Sequence, residues 1–262
     1  MTSEIKKLEL RRKTRKKLNE LSESEDHVLV IHYSCESFYN RTDGKTPRVT
    51  SIAVRNYASG QTASFSIHKV AELKNVEFGK IDQNYDLLEK EMLLEFYEFM
   101  KQHRAYFWVH WNMRDINYGF PALEHRFKIL GGEPYILDDS KKVDLSRALV
   151  ALYTVGYVPH PRIIQLMVVN HITAKDLLDG QGEADAFEKK EFVKLHQSTL
   201  RKVDVFCNFL GRTLDGSLIT NATWWEMNGG SIKALGEFIS KHWVFTLVAG
   251  VIGIAAGIYT FL

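Results

Sequence analysis

The chain has 262 residues and a formal net charge of +2 at pH 7. That length suffices for one α/β domain of about 200 residues with appendages, and near-neutrality means that no strongly basic or acidic partner follows from the total charge. The only two cysteines, Cys35 and Cys207, stand far apart, so the sequence encodes no disulfide framework or zinc site and suits a reducing cytoplasm.

Taken in chain order, residues 6–17 (KKLELRRKTRKK) hold eight Lys or Arg against one Glu. Such a run reads as a solvated helix face, a charged arm, or a patch for phosphates or anionic lipid. Residues 1–26 are therefore placed in a basic, partly helical N-terminal arm, without the apolar core of a secretory signal. HVLVIHYSCESFY (27–39) predicts a buried strand. RVTSIAVRNYASG (48–60) and QTASFSIHKV (61–70) alternate and break at Ser59-Gly60, a hairpin pattern. Residues 85–103 repeat apolar side chains at helical spacing, from Leu88 and Met92 to Phe99 and Met100. AYFWVHW (105–111) is a second buried strand, leading into the helix GFPALEHRFKILGG, whose Arg126 reads with Arg114 and His125 as a solvated face. VDLSRALVALYTV (143–155) predicts an amphipathic helix, 160–180 a helical segment, and GQGEADA a loop. Residues 187–212 predict a long helix, with Phe192, Leu195, Leu200, Val203, Phe206, Cys207 and Leu210 inward. Residues 213–241 form a linker.

The last segment differs in kind. After Lys241 no charged residue occurs, and the run from Trp243 to Leu262 is 20 residues long, the length of a membrane helix. Trp243 and Tyr259 near its ends suit the bilayer interfaces, and Lys233 and Lys241 before it predict a cytoplasmic soluble part. The expectation is a single-pass tail anchor over residues 242–262 in the inner (cytoplasmic) membrane, inserted after synthesis. Ala249, Gly253 and Gly257 recur every four residues, a small-residue face that lets membrane helices associate and predicts a homo-oligomer.

Strand, hairpin, helix, strand and further helices predict a mixed α/β sheet with helices packed on it. The polar groups of HWNMRD fall where a strand hands over to a helix, the edge at which α/β folds place chemistry. This order resembles the ribonuclease H-like fold, and in particular the DEDD 3′–5′ exonuclease superfamily, over about residues 27–212. The resemblance implies two divalent metals, Mg²⁺ or Mn²⁺, held by four carboxylates. SCES puts Ser34 in place of the first Asp and keeps Glu36. HWNMRD offers Asn112 and Asp115, one residue closer than usual. HQSTLRK gives His196, but Arg201 stands where the last carboxylate is expected, with Asp204 almost a turn further on. A cation there repels a divalent metal.

The resulting expectation is a degenerate, non-catalytic exonuclease-like domain that binds nucleic acid or nucleotide. Ser34, Asn112, His196, Arg201 and Lys202 would serve as ligand-binding residues, because His, Ser, Arg and Lys clusters hold phosphate by charge and hydrogen bonds. With a membrane segment attached, such a sensor resembles effectors of bacterial antiviral defence. Two alternatives stand beside it. One is an active membrane-tethered nuclease using Glu36, Asp115 and Asp204 with Mg²⁺ or Mn²⁺. The other is a structural tether, in which Glu36 and Asp115 are loop and capping residues and His32 and Tyr33 are satisfied core polar groups.

Overall fold

The computed structural model describes residues 4–37 and 46–224, together with Glu226, Met227, Ile232 and Gly236. Its spine is β1 (Val28–Cys35), whose alternate side chains feed two cores. Leu29, Ile31 and Tyr33 join one apolar cluster, while Val28 and Val30 join the other. Strands covered on both faces read as continuous apolar runs, and this one does. By the same period of two, His32 and Ser34 continue the face of Val28 and Val30.

β2 (Val49–Asn56) pairs antiparallel with β1, and β3 (Thr62–Ser66) antiparallel with β2. On the other side β4 (Phe107–His110) and β5 (Lys142–Asp144) both run parallel to β1. The sheet is thus mixed and five-stranded, ordered β3-β2-β1-β4-β5. One layer holds α2 (Ile67–Leu73), α3 (Tyr85–Gln102) and α4 (Phe120–Ile129), which pack with Leu29, Ile31 and Trp108. The other holds α1 (Glu4–Ser22), α5 (Leu145–Tyr153), α6 (Arg162–Val169) and the body of α8 (Phe192–Leu214). The short α7 (Gly180–Glu188) packs against α8.

Several expectations are corrected here. Residues 67–73 are helix rather than the end of a strand, because Ile67, Val70 and Ala71 bury one helical stripe. GQGEADA is α7 and not a loop: the Asp179 carboxylate caps it by accepting from Gly182 N–H, 2.8 Å. Residues 142–144 are a strand that the helix reading of 143–155 absorbed. Leu200 and Cys207 are only half-buried on α8, whereas Phe209 is fully buried. Arg126 is not solvated; it is buried, and its guanidinium binds Glu89 and Asp86 from α3. Glu89 also accepts Val49 N–H at 2.6 Å, which ties α3 and α4 to β2.

The basic N-terminal stretch is an ordered helix on the domain. Leu18 and Leu21 are buried, and the Arg11 guanidinium donates to the carbonyls of Ala151 and Leu152 at the end of α5. Among the described residues, no helix is long and apolar enough to cross a membrane. The expected anchor at 242–262, with its Ala249, Gly253 and Gly257 face, lies outside the described residues, as do residues 38 and 39 of the first strand segment.

Candidate functional site

The parallel register sets Ile31 beside His110, so the carboxyl ends of β1 and β4 open side by side. There a cavity of about 590 Å³ is walled by β1 residues 32–35 with Glu36, the 111–118 loop, the start of α6, the start of α7, and Lys202 of α8. Its volume is that of a small-molecule site.

The 111–118 loop is built by local chemistry. Asn112 takes a left-handed backbone, φ 57°, and its N–H donates to the Asp144 carboxylate, 3.3 Å. Asp115 does not cap α4. Its Oδ1 accepts from Asn117 and Tyr118 N–H at 2.9 and 3.0 Å, closing a turn, and Gly119 precedes α4 instead. That turn brings Tyr118 over β1, where its hydroxyl donates to Tyr33 O and accepts from His32 Nδ1, both at 3.0 Å. The Tyr118 ring stacks on Tyr33 at 4.5 Å. Burial holds the His32 imidazole well below its usual pKa, helped by Lys202, so the ring is neutral.

On the facing wall, Lys202 and Glu183 form an ion pair, Nζ to Oε1 2.7 Å, with side chains only 7% and 16% exposed. Ser198 donates to the same Glu183 oxygen at 3.2 Å and accepts from Leu178 N–H at 3.1 Å. One turn before Lys202, the Thr199 hydroxyl donates to Leu195 O at 2.8 Å and is hydrogen-bonded to Ser34 Oγ at 3.0 Å. The third wall is the amino end of α6. Pro161 stands at its N-cap and provides no side-chain bond, so the first N–H groups lack a side-chain cap. Arg162 lies there, with Nη2 on Val155 O at 3.1 Å and Nε without a hydrogen-bond partner.

Of the residues singled out in the sequence, Ser34, Glu36, Asn112, Asp115 and Lys202 line this cavity. His196, Arg201 and Asp204 do not, which corrects the expected convergence. His196 lies one strand over, its Nδ1 bonded to Ser51 Oγ at 2.6 Å and its ring against His68. Arg201 points to Asp204 and Asp176, at 3.3 and 3.8 Å. Asp204 also binds Arg55, 3.2 Å away. Arg55 pairs with Val30, four residues up the strand from Ser34, about 13 Å at the usual rise. The cause is helical geometry: successive residues turn by about 100°, so Lys202 shares the face of Ser198 and Thr199 while Arg201 and Asp204 share a flank. Sequence reasoning missed Tyr118, Arg162 and Glu183. A signal for Glu183 existed in Asp179, an N-cap residue type placed four positions ahead.

These residues do not fit the two-metal group that the resemblance implies. Among the described residues no three His, Cys, Asp or Glu side chains gather to hold a metal ion. Asp204 is displaced along the sheet to Arg55, Ser34 offers only a neutral hydroxyl that already bonds Thr199, and an ammonium already neutralises Glu183. Glu36 accepts from Arg48 N–H at 3.3 Å and pairs with its guanidinium. Comparisons of the chain with protein-family models, with curated proteins and with solved structures find no match.

Proposed function

We propose that this is a binding domain of degenerate exonuclease-like, ribonuclease H-like type, which takes a nucleotide or the phosphate of a nucleic-acid end into the cavity between β1, β4, α6 and α8. The observation that carries the reading is the α6 wall: an amino end without a side-chain cap, with Arg162 beside it. Helix amino ends favour anions through their free N–H groups and dipole. Tyr118 and Trp111 add aromatic surface to the same cavity. The sheet supports the kinship, since a central strand joins an antiparallel hairpin on one side and a parallel strand after a helix on the other. Binding replaces cleavage because Lys202 occupies a wall where metal chemistry needs negative charge. The uncharged stretch 243–262 is read as a membrane anchor that holds the domain at the cytoplasmic face of the inner membrane.

Titration calorimetry on the full chain in detergent, with adenosine monophosphate, a short single-stranded oligonucleotide and Mn²⁺ as separate probes, tests this. Nucleotide or oligonucleotide should bind without a divalent ion. Arg162→Gln should weaken that binding by roughly tenfold to a hundredfold, the worth of a charge-assisted hydrogen bond, and Arg201→Asp should leave it unchanged. Binding of two Mn²⁺ ions with cleavage of the oligonucleotide would restore the nuclease. No binding of either phosphate probe would leave only a tether.

A further inference from the structure

The structure describes where the chain departs towards its apolar C-terminal stretch. After α8, Leu218 is buried. Asn170 brackets the next residue, accepting Ile219 N–H and donating to Ile219 O, both at 2.9 Å. Asn221 N–H then bonds Tyr157 O at 2.8 Å. Glu226 and Met227 follow, and they line a cleft whose opposite side is α1, from Glu4 and Lys7 through Arg11 to Lys17. Trp224, 61% exposed, stands at this exit, and tryptophan favours the level of lipid headgroups.

The face that α1 turns outward is cationic. Leu8, Arg11, Thr14, Leu18 and Leu21 point at the domain or are half-buried, leaving Lys6, Arg12, Lys13, Arg15 and Lys16 exposed. Lys7 pairs with Glu4 and Lys17 with Glu20, whereas Arg12, Lys13, Arg15 and Lys16 make no ion pair among the described residues. Two features therefore adjoin the same helix: its own unpaired basic residues, and, across the cleft, Glu226 and Met227 on the way to 20 uncharged residues.

We propose that the exposed face of α1 docks on an anionic lipid surface, with the membrane-anchored chain holding it there. The inference rests on the anchor reading of residues 243–262. Lipid is favoured over nucleic acid by position. Lys6, Arg12, Lys13, Arg15 and Lys16 line neither the cavity nor the cleft, whereas the helix that carries them forms the cleft wall opposite Glu226 and Met227, where the chain leaves for its uncharged stretch. Basic groups beside a membrane segment lie within the field of acidic headgroups, which decays over about 8 Å at physiological salt. Each such charge strengthens surface association about fivefold.

The test uses the full chain in nanodiscs of phosphatidylcholine alone or with three parts in ten phosphatidylserine. Amine-reactive labelling of lysines is followed by mass spectrometry, with Lys190, just before α8, and Lys194, in its first turn, as internal references. Co-elution with neutral discs reports the anchor. Slower labelling of Lys13 and Lys16 in anionic discs, by about fivefold or more relative to the references and reversed at 1 M salt, reports docking. Arg12→Gln with Arg15→Gln should reduce that protection. Equal labelling in both discs overturns the proposal while sparing the anchor. Protection by a single-stranded oligonucleotide in neutral discs, without protection by phosphatidylserine, also overturns it and assigns α1 to nucleic acid. Failure to co-elute with either disc removes the anchor and the proposal together.

Discussion

Lys202 is the residue through which the cavity's charge balance can be measured. Lys202→Met keeps most of the side-chain volume but leaves the Glu183 carboxylate, 16% exposed, without its cation. Removing one member of a buried ion pair costs about 3–5 kcal/mol. Glu183 keeps the Ser198 hydroxyl as a donor and some solvent, so the lower end applies, about 3 kcal/mol. Glu183→Leu alone strands the ammonium and should cost a similar amount. The double substitution removes both charges and should cost about 1 kcal/mol, because apolar replacement of a whole buried pair is close to neutral. On these figures the coupling between the two sites is about 5 kcal/mol. Urea unfolding of the four proteins in one mild detergent, followed by far-ultraviolet circular dichroism, reads it directly. If the two single losses simply add in the double variant, Lys202 and Glu183 do not act as a pair, and the cavity's neutralised wall is wrong.

Acid should destabilise the fold through its buried imidazoles. Burial first of all pushes His110 down to about 3, His196 down to about 4, and His32 well below its usual value. Native His stays neutral while unfolded His titrates near 6.5, so this stability is fully present above that value and is lost as pH falls towards 4. Between pH 7 and 5 each ring should cost roughly 2 kcal/mol; a urea midpoint unchanged over that interval would refute the assignment. At the strand-to-helix junction, Gly119 has φ +155°, and a Cβ there would meet Met113 C and Arg114 N at 2.4 Å. Gly119→Ala should cost about 3 kcal/mol or more and abolish ligand binding by displacing Tyr118, as melting temperature and calorimetry would show.

The sequence made the sheet's centre legible because β1 and β4 are covered on both faces, and a doubly buried strand announces itself as an apolar run. β5 was hidden because three residues cannot display a period; Val143 is a strand residue only because Val109 lies beside it. α7 was hidden because its two glycines resemble a turn, while its stability comes from Ala186 and Phe187 buried against other elements. Arg126 looked solvated because its partner Glu89 lies on another helix, and local pattern says nothing about such pairs. The cavity itself was half legible. Ser34, Glu36, Asn112 and Asp115 follow from where strands end, but choosing Lys202 over Arg201 requires knowing how α8 is rotated about its axis. That rotation is set by Phe206 and Phe209, which pack in one cluster with Val28 and Val30 of β1 and Val109 of β4.

The short α6 joins two places that the sequence keeps more than 50 residues apart. Its first turn forms a wall of the cavity, and its terminal Asn170 holds Ile219 by both backbone groups. Eight residues of α-helix make a strut about 12 Å long, stiff along its axis because every turn is hydrogen-bonded to the next. A strut pinned at both ends cannot be pushed at one without moving the other. On the proposed reading, a ligand seated against Arg162 would therefore bear mechanically on the point where the chain leaves the domain, and tension on the departing chain would bear on the cavity.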